Sequence, residues 1–181
     1  MKAFIQSYIL LITVSACAIC AFAAQPKLEH SEVNKLYQLE KEAMQAYRAG
    51  DYAKAFEKLS ITAPQGLKQS QFYMAYLYLK GQHVQMSMRT GMGWLGVAKE
   101  SGRKEMLELF DGLYSKFNAA QQQAVDAEVE KYISEYGMQA QNVVCKKRKK
   151  VGRKRMLLEC IKVPVSIEYE IHKQPNPMVL Y

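Results

Sequence analysis

The sequence predicts a mainly α protein, an α-α superhelix of stacked helical repeats that ends in a small antiparallel β-hairpin. Three observations predict it. The first is self-similarity. At an offset of 36 residues Leu59 maps onto Leu95, Ile61 onto Val97, Thr62 onto Ala98, Gly66 onto Gly102, and Leu77-Tyr78 onto Leu113-Tyr114. A period of that size marks an array in which no unit buries its apolar face alone. The second is a series of apolar residues at three- and four-residue spacing, punctuated by glycines, from Ser31 to Gly137. The third is a change of period after Gly137, where β-branched residues begin to alternate with polar ones.

Composition sets the outer bounds. The chain has 181 residues, enough for one domain with an appendage, and 49% of them are hydrophobic, enough for a core. The formal net charge of +8 is local. From Ala24 to Ala140 there are 14 Lys/Arg and 14 Asp/Glu, which cancel. From Gln141 to Lys162 there are 9 Lys/Arg against Glu159 alone. The basicity therefore needs a local explanation.

Residues 1–23 have the form of a signal peptide. Lys2 precedes an apolar centre, Ile9 to Val14, and Ala21-Phe22-Ala23 supplies the small-x-small pattern for cleavage after Ala23. Two alternatives are a retained membrane anchor and lipoprotein processing at Cys17, within Val14-Ser15-Ala16-Cys17. Export to the periplasm or beyond agrees with the cysteines. Cys17 and Cys20 fall in the leader, and the remainder keeps one pair, Cys145 and Cys160, in a compartment where disulfides persist.

The helical domain spans 31–137. Ser31 is the expected N-cap of the first helix, with Leu36, Leu39, Ala43 and Ala46 inward, and Ala49-Gly50 ends it. Asp51 caps the second, and Pro64 closes it because it lacks the amide the ladder needs. A third runs from about Leu67 to Lys80 and ends at Gly81, a fourth from about Arg89 to Glu100, and a fifth from Arg103 to about Lys116. Asn118 caps a sixth, which departs from the repeat pattern and reads as the polar terminal cap of a solenoid. Phe56, Leu59, Phe72, Ala75, Leu77, Trp94, Leu95, Phe110 and Leu113 are the expected core.

From Ala43 to Met106 the chain resembles the Sel-one-like repeat family, a branch of the tetratricopeptide-like solenoids. The resemblance rests on Tyr47, Gly50, Tyr52, Ala55, Ala63 and Gly66 in one unit. In the next it rests on Ala75, Tyr78, Gly81, Val84, Trp94, Leu95, Ala98 and Gly102. Two positions depart from the pattern: His83 stands at a loop glycine, and Gly91 at a small helix residue. The resemblance implies protein–protein adaptor work and no chemistry of its own.

The C-terminal region, 140–172, reads as a basic hairpin centred on Gly152-Arg153, with a third strand after Pro164 in which Val165, Ile167, Tyr169 and Ile171 alternate with Ser166, Glu168 and Glu170. A type II′ loop wants glycine first, and that loop makes paired positions sum to 305, so Cys145 faces Cys160 and bridging follows. The same register sets Lys146 opposite Glu159 and leaves Lys147, Arg148, Lys149, Lys150, Arg153, Lys154 and Arg155 without directly opposite acidic partners.

Chemistry-bearing motifs are weak. Gly91-Met92-Gly93-Trp94-Leu95-Gly96 has the G-x-G-x-x-G spacing of a dinucleotide loop, but that chemistry needs a preceding strand, and here the glycines lie within a repeat helix. They read as close-packing residues. His30, His83 and His172 share no ligand spacing, so no metal or other cofactor is expected. No nucleophile elbow is present, and no enzymatic activity is expected. Tyr73, Tyr76, Arg89 and Trp94 are the candidate partner-binding residues of a helical groove. The basic residues from Lys147 to Arg155 have two readings, a solvated tip or a contact for anionic lipid, lipopolysaccharide or acidic protein. Nucleic acid is not an expected partner of an exported chain. The functional expectation is a non-catalytic envelope adaptor that binds a protein or peptide, with the anionic-surface binder as the alternative.

Overall fold

The computed structural model describes residues 29–149 and 156–164. Helices α1 (His30–Arg48), α2 (Tyr52–Thr62), α3 (Lys68–Lys80), α4 (Met88–Lys99), α5 (Lys104–Tyr114) and α6 (Ala119–Tyr136) precede strands β1 (Val143–Lys149) and β2 (Met156–Lys162). The fold is mainly helical with a two-stranded antiparallel hairpin. The expected leader, the expected hairpin turn at Gly152-Arg153 and the expected third strand lie outside the described residues.

The 36-residue period is written in the helix caps. Asp51 accepts a hydrogen bond from the Lys54 amide at the start of α2. Ser87, 36 positions on, accepts one from the Thr90 amide at the start of α4. Helix α3 begins at Lys68 and α5 at Lys104, again 36 apart. Gly66 and Gly102 both adopt left-handed backbone, φ 82° and 73°. Each lies between a repeat's second helix and the next unit, where L-residues are strained. His83, the departure at a loop glycine, is itself left-handed at φ 65° and packs its ring on Phe56, with centroids 5.6 Å apart. A residue other than glycine thus holds left-handed backbone here, and its side chain packs on a neighbour.

Two helix pairs carry the core, α1 with α2 and α3 with α4. Leu59, Leu77, Met92, Leu95, Val97 and Met106 are fully enclosed. Burial of such side chains supplies about 1.5–3 kcal/mol each before entropy is counted. Of the expected core, Phe56 and Leu113 are only half-buried; the rest is buried. The period also has a limit. Ile61 is 49% exposed although its counterpart Val97 is enclosed, because α4 is flanked by α3, α5 and α6 together.

The sixth helix packs chiefly on α4 rather than on α5. The three glycines of α4 make this possible. A Cβ on Gly91 would meet Leu79 of α3 at 2.6 Å, one on Gly93 would meet Tyr132 at 3.0 Å, and one on Gly96 would meet Val129 at 2.5 Å. The G-x-G-x-x-G pattern is thus a packing seam with a helix on either side. One helix start differs from the sequence expectation. Helix α1 begins at His30 with Glu29 as N-cap, not at Ser31, and the Glu32 carboxylate accepts the Glu29 amide at 3.0 Å.

A buried polar node ties the helical stack to the segment beyond α6. Lys68 Nζ donates to Glu100 Oε2 (2.9 Å), the Val97 carbonyl (3.0 Å) and Gln71 Oε1 (3.0 Å). Gln71 in turn donates to the Ala63 and Tyr136 carbonyls, and Glu100 accepts the Met138 amide. Burial lowers the Lys68 pKa and the Glu100 carboxylate opposes that shift. A second carboxylate replaces a missing cap. Leu67 gives α3 no side-chain cap, and Glu40 of α1 accepts both the amide and the hydroxyl of Ser70 at 3.0 Å. Such groups are tolerated inside only when satisfied in this way.

Candidate functional site

The aromatic face is built where α1, α2 and α3 meet. Tyr47 lies at the end of α1, Tyr52 opens α2, and Tyr73 and Tyr76 stand one turn apart on α3. Ring centroids are 4.8 Å apart for Tyr47–Tyr73, 5.3 Å for Tyr47–Tyr52 and 6.5 Å for Tyr47–Tyr76. Phe72 closes edge-on against Tyr76 at 5.0 Å. Lys80 Nζ sits 4.8 Å from the centre of the Tyr76 ring, a cation–π contact. The Tyr47 hydroxyl donates to Gln82 Oε1 at 2.8 Å. Burial, then the neighbouring tyrosines, pushes the Tyr47 pKa up to about 12, so this hydroxyl stays neutral at physiological pH. All four tyrosines are half-buried. Each thus offers apolar ring area together with a polar tip, the chemistry of a contact surface.

The four groove candidates do not share one face. Tyr73 and Tyr76 belong to the α1–α3 cluster. Trp94 lies between α4 and α6, 8% exposed, stacked on Tyr136 at 4.9 Å and edge-on to Tyr132 at 5.0 Å. Arg89 pairs with Glu128 of α6 at 3.2 Å. Sequence reasoning groups them because the α4–α6 contact has no local signal. It also passes over Tyr47 as a site residue, although the tyrosine spacing around Gly50 marks that corner.

The hairpin has the expected register. Cys145 faces Cys160, the two joined by a disulfide with an S–S distance of 2.03 Å, and Lys146 faces Glu159. Lys147, Arg148 and Lys149 lie opposite Leu158, Leu157 and Met156, and all three are exposed. Glu159 makes its ion pair on the diagonal, with Arg148 Nε at 3.9 Å, rather than straight across with Lys146. Exposed pairs of that kind contribute little, so the strand remains strongly cationic. Lys150, Arg153, Lys154 and Arg155 lie outside the described residues.

The last member of the basic run behaves differently. Lys162 is buried, 9% exposed, at the root of the hairpin. Its Nζ donates to the Gln65 and Gln141 carbonyls at 2.9 Å, and its amide donates to the Tyr37 hydroxyl at 2.7 Å. Lys162 thereby fastens the hairpin to α1 and to the loop before α3. Close contact there requires glycine, since a Cβ on Gly66 would stand 2.6 Å from the Gln141 Cβ. Burial lowers the Lys162 pKa to about 8. The unfolded chain holds that proton up to the ordinary lysine value of 10.5, so between pH 8 and 10.5 it binds more protons than the folded chain and stability rises with pH. Denaturant titrations at pH 7.5 and 10.5 should show this increment in the native protein and its loss in Lys162→Met. Equal pH dependence in both would mean that Lys162 is solvated.

Among the described residues no group of three or more His, Cys, Asp or Glu side chains is placed to hold a metal ion. No protein-family model matches the chain. No curated protein matches it either. Among solved structures it is similar to a protective antigen present in uropathogenic Escherichia coli strains, which displays an SLR fold. The similarity has 22% identity and a TM-score of 0.44, and covers 56% of this chain and 23% of that one. The matched region thus spans about a quarter of the length of that antigen.

Proposed function

We propose that the chain is a non-catalytic, exported protein-interaction module, a Sel-one-like helical-repeat adaptor of the cell envelope. The observation that carries this reading is the half-buried tyrosine face of Tyr47, Tyr52, Tyr73 and Tyr76, held rigid by mutual packing. Rigid amphipathic rings supply contact area at low entropic cost, which is why they dominate interface energetics. Export is supported by the Cys145–Cys160 disulfide, a bond that persists in oxidising compartments. Among the described residues no helix is long and apolar enough to cross a membrane.

A photo-crosslinking residue at position 73 or 76, in cells, tests the reading. Discrete crosslinked proteins are expected, and they should disappear when Tyr47 and the other of the pair are changed to Ala. Labelling that is diffuse, or unaffected by those changes, would exclude the face as the contact surface.

The exposed Lys146, Lys147, Arg148 and Lys149, with one long ion pair among them, favour a second reading in which the hairpin contacts an anionic envelope surface. Binding to anionic vesicles or lipopolysaccharide should then exceed binding to neutral vesicles and weaken with salt. Equal binding to both surfaces would dismiss it.

A further inference from the structure

A groove of about 400 Å³ runs between the first half of α1 and one face of the hairpin. That volume falls in the lower part of the range for small-ligand sites. Alternate residues of a strand share a face, so Val144, Lys146 and Arg148 of β1 line the groove while Lys147 and Lys149 do not. Across the pair, Ile161 stands opposite Val144 and Glu159 opposite Lys146. The lining therefore changes along the strands. At the root Val144, Ile161, Val163 and Pro164 meet Val33 of α1 in an apolar floor. Lys146 and Arg148 follow at about 7 and about 14 Å up the strand from Val144. The two walls are tied together, because the Tyr37 hydroxyl of α1 accepts the Lys162 amide at 2.7 Å. On that floor Ile161 is left 36% exposed.

We propose that the groove binds a single-chain anionic amphiphile, a long-chain fatty carboxylate, with its hydrocarbon tail on the apolar floor and its carboxylate between Lys146 and Arg148. The tail takes the floor out of contact with water. The carboxylate meets a planar guanidinium suited to two parallel hydrogen bonds, Arg148, and a flexible point charge, Lys146. Glu159 is the acid beside them. Its contact with Arg148 is 3.9 Å long, against about 2.7–2.9 Å for a close charge-assisted bond, so it holds that fork weakly. Two positive charges against one leave the lining short of one carboxylate, which the ligand supplies. A neutral chain would leave the cations unused, and an anion without a chain would leave the floor wet. The proposal is independent of the tyrosine face. It is also separable from contact with an extended anionic surface, which would draw on Lys147 and Lys149 of the other hairpin face as much as on Lys146 and Arg148.

The test titrates the full, disulfide-bonded chain with straight-chain carboxylates from octanoate to tetradecanoate, each below its micelle concentration. Saturable binding at one site is expected, tightening about fourfold per added methylene until the floor is filled. Primary alcohols of equal length should bind roughly tenfold more weakly, having no charge to offer the two cations. Lys146→Gln with Arg148→Gln should weaken carboxylate binding by a similar factor, whereas Lys147→Gln with Lys149→Gln should leave it unchanged. Asn34→Trp, at an exposed position on the α1 wall, should fill the groove and abolish binding. Circular dichroism and an intact disulfide serve as folding controls for each variant. Dodecanoate with a diazirine at the end of its chain should label Val33, Val144 or Ile161. Absence of saturable binding, equal binding of alcohols, equal loss in both double variants, or labelling away from the groove would overturn the proposal. So would displacement of the probe by oligoglutamate at equal concentration, which would give the groove to an acidic peptide. Equally strong labelling by diazirine-bearing phosphatidylglycerol in vesicles would give it to a lipid surface instead.

Discussion

Gly96→Val should lower stability by about 3 kcal/mol, the upper part of the usual range for overpacking a close-packed site. Both methyls of Val129 already stand 2.5 and 2.6 Å from where a Cβ would be placed, and Gly96 and Val129 are both buried. The gain in helix propensity on replacing glycine by β-branched valine, about 0.3 kcal/mol, offsets little of the cost and is included in that figure. Gly96→Ala should be milder. Pairing it with Val129→Ala should recover most of the loss, since a small residue on α6 makes room for a larger one on α4. A double-mutant cycle by urea denaturation measures that coupling. An unchanged midpoint for Gly96→Val would mean that α4 and α6 do not meet at this seam.

Removing the disulfide should have a comparable effect in a different place. Cys145 and Cys160 are separated by 15 residues, and opening a loop of that size costs about 3 kcal/mol in the chain-entropy model. The loss should fall on the hairpin, because its strands pair mainly with each other. In a Cys145→Ser, Cys160→Ser variant, amide hydrogens from Val143 to Lys162 should exchange faster. Those of α1 to α4 should keep their protection. Equal exchange across the hairpin with and without the bond would show that the strands hold without it. Uniform loss everywhere would show that the hairpin and the helical stack unfold as one unit.

How far a sequence carries depends on whether the determinants are local. Asp51 and Asn118 are identifiable as caps because a short side chain reaching the amide three residues on is a one-turn interaction. The hairpin register is readable because glycine position, strand period and two cysteines all agree on one sum. The start of α1 escapes because Ser31 is the better intrinsic cap, and the Glu29–Glu32 contact wins without it. The burial of Lys68 and Lys162 has no local sign at all. Lys68 stands in a polar stretch and Lys162 among apolar neighbours, and the backbone carbonyls that hold their ammonium groups come from 21 to 97 positions away. Trp94 belongs to the core as its spacing predicts, and only the course of α6 shows that it is covered and not a groove residue. The tyrosine face is half legible: its members on α3 stand out, Tyr47 and Tyr52 flank Gly50 in the sequence, and the fold shows that the two groups meet.

The cationic face of β1 has a further bearing on how the chain avoids sticking to itself. A two-stranded sheet has an outer edge on each strand, and an unpaired edge invites strand addition from another molecule. Lys146, Lys147, Arg148 and Lys149 put four successive positive charges along one of them. A second copy approaching in register would set lysine against lysine and arginine against arginine, with repulsion growing at every added rung. Self-templated stacking of hairpins is thereby discouraged at its first step, and an edge of this kind remains open to strands that bring acidic side chains.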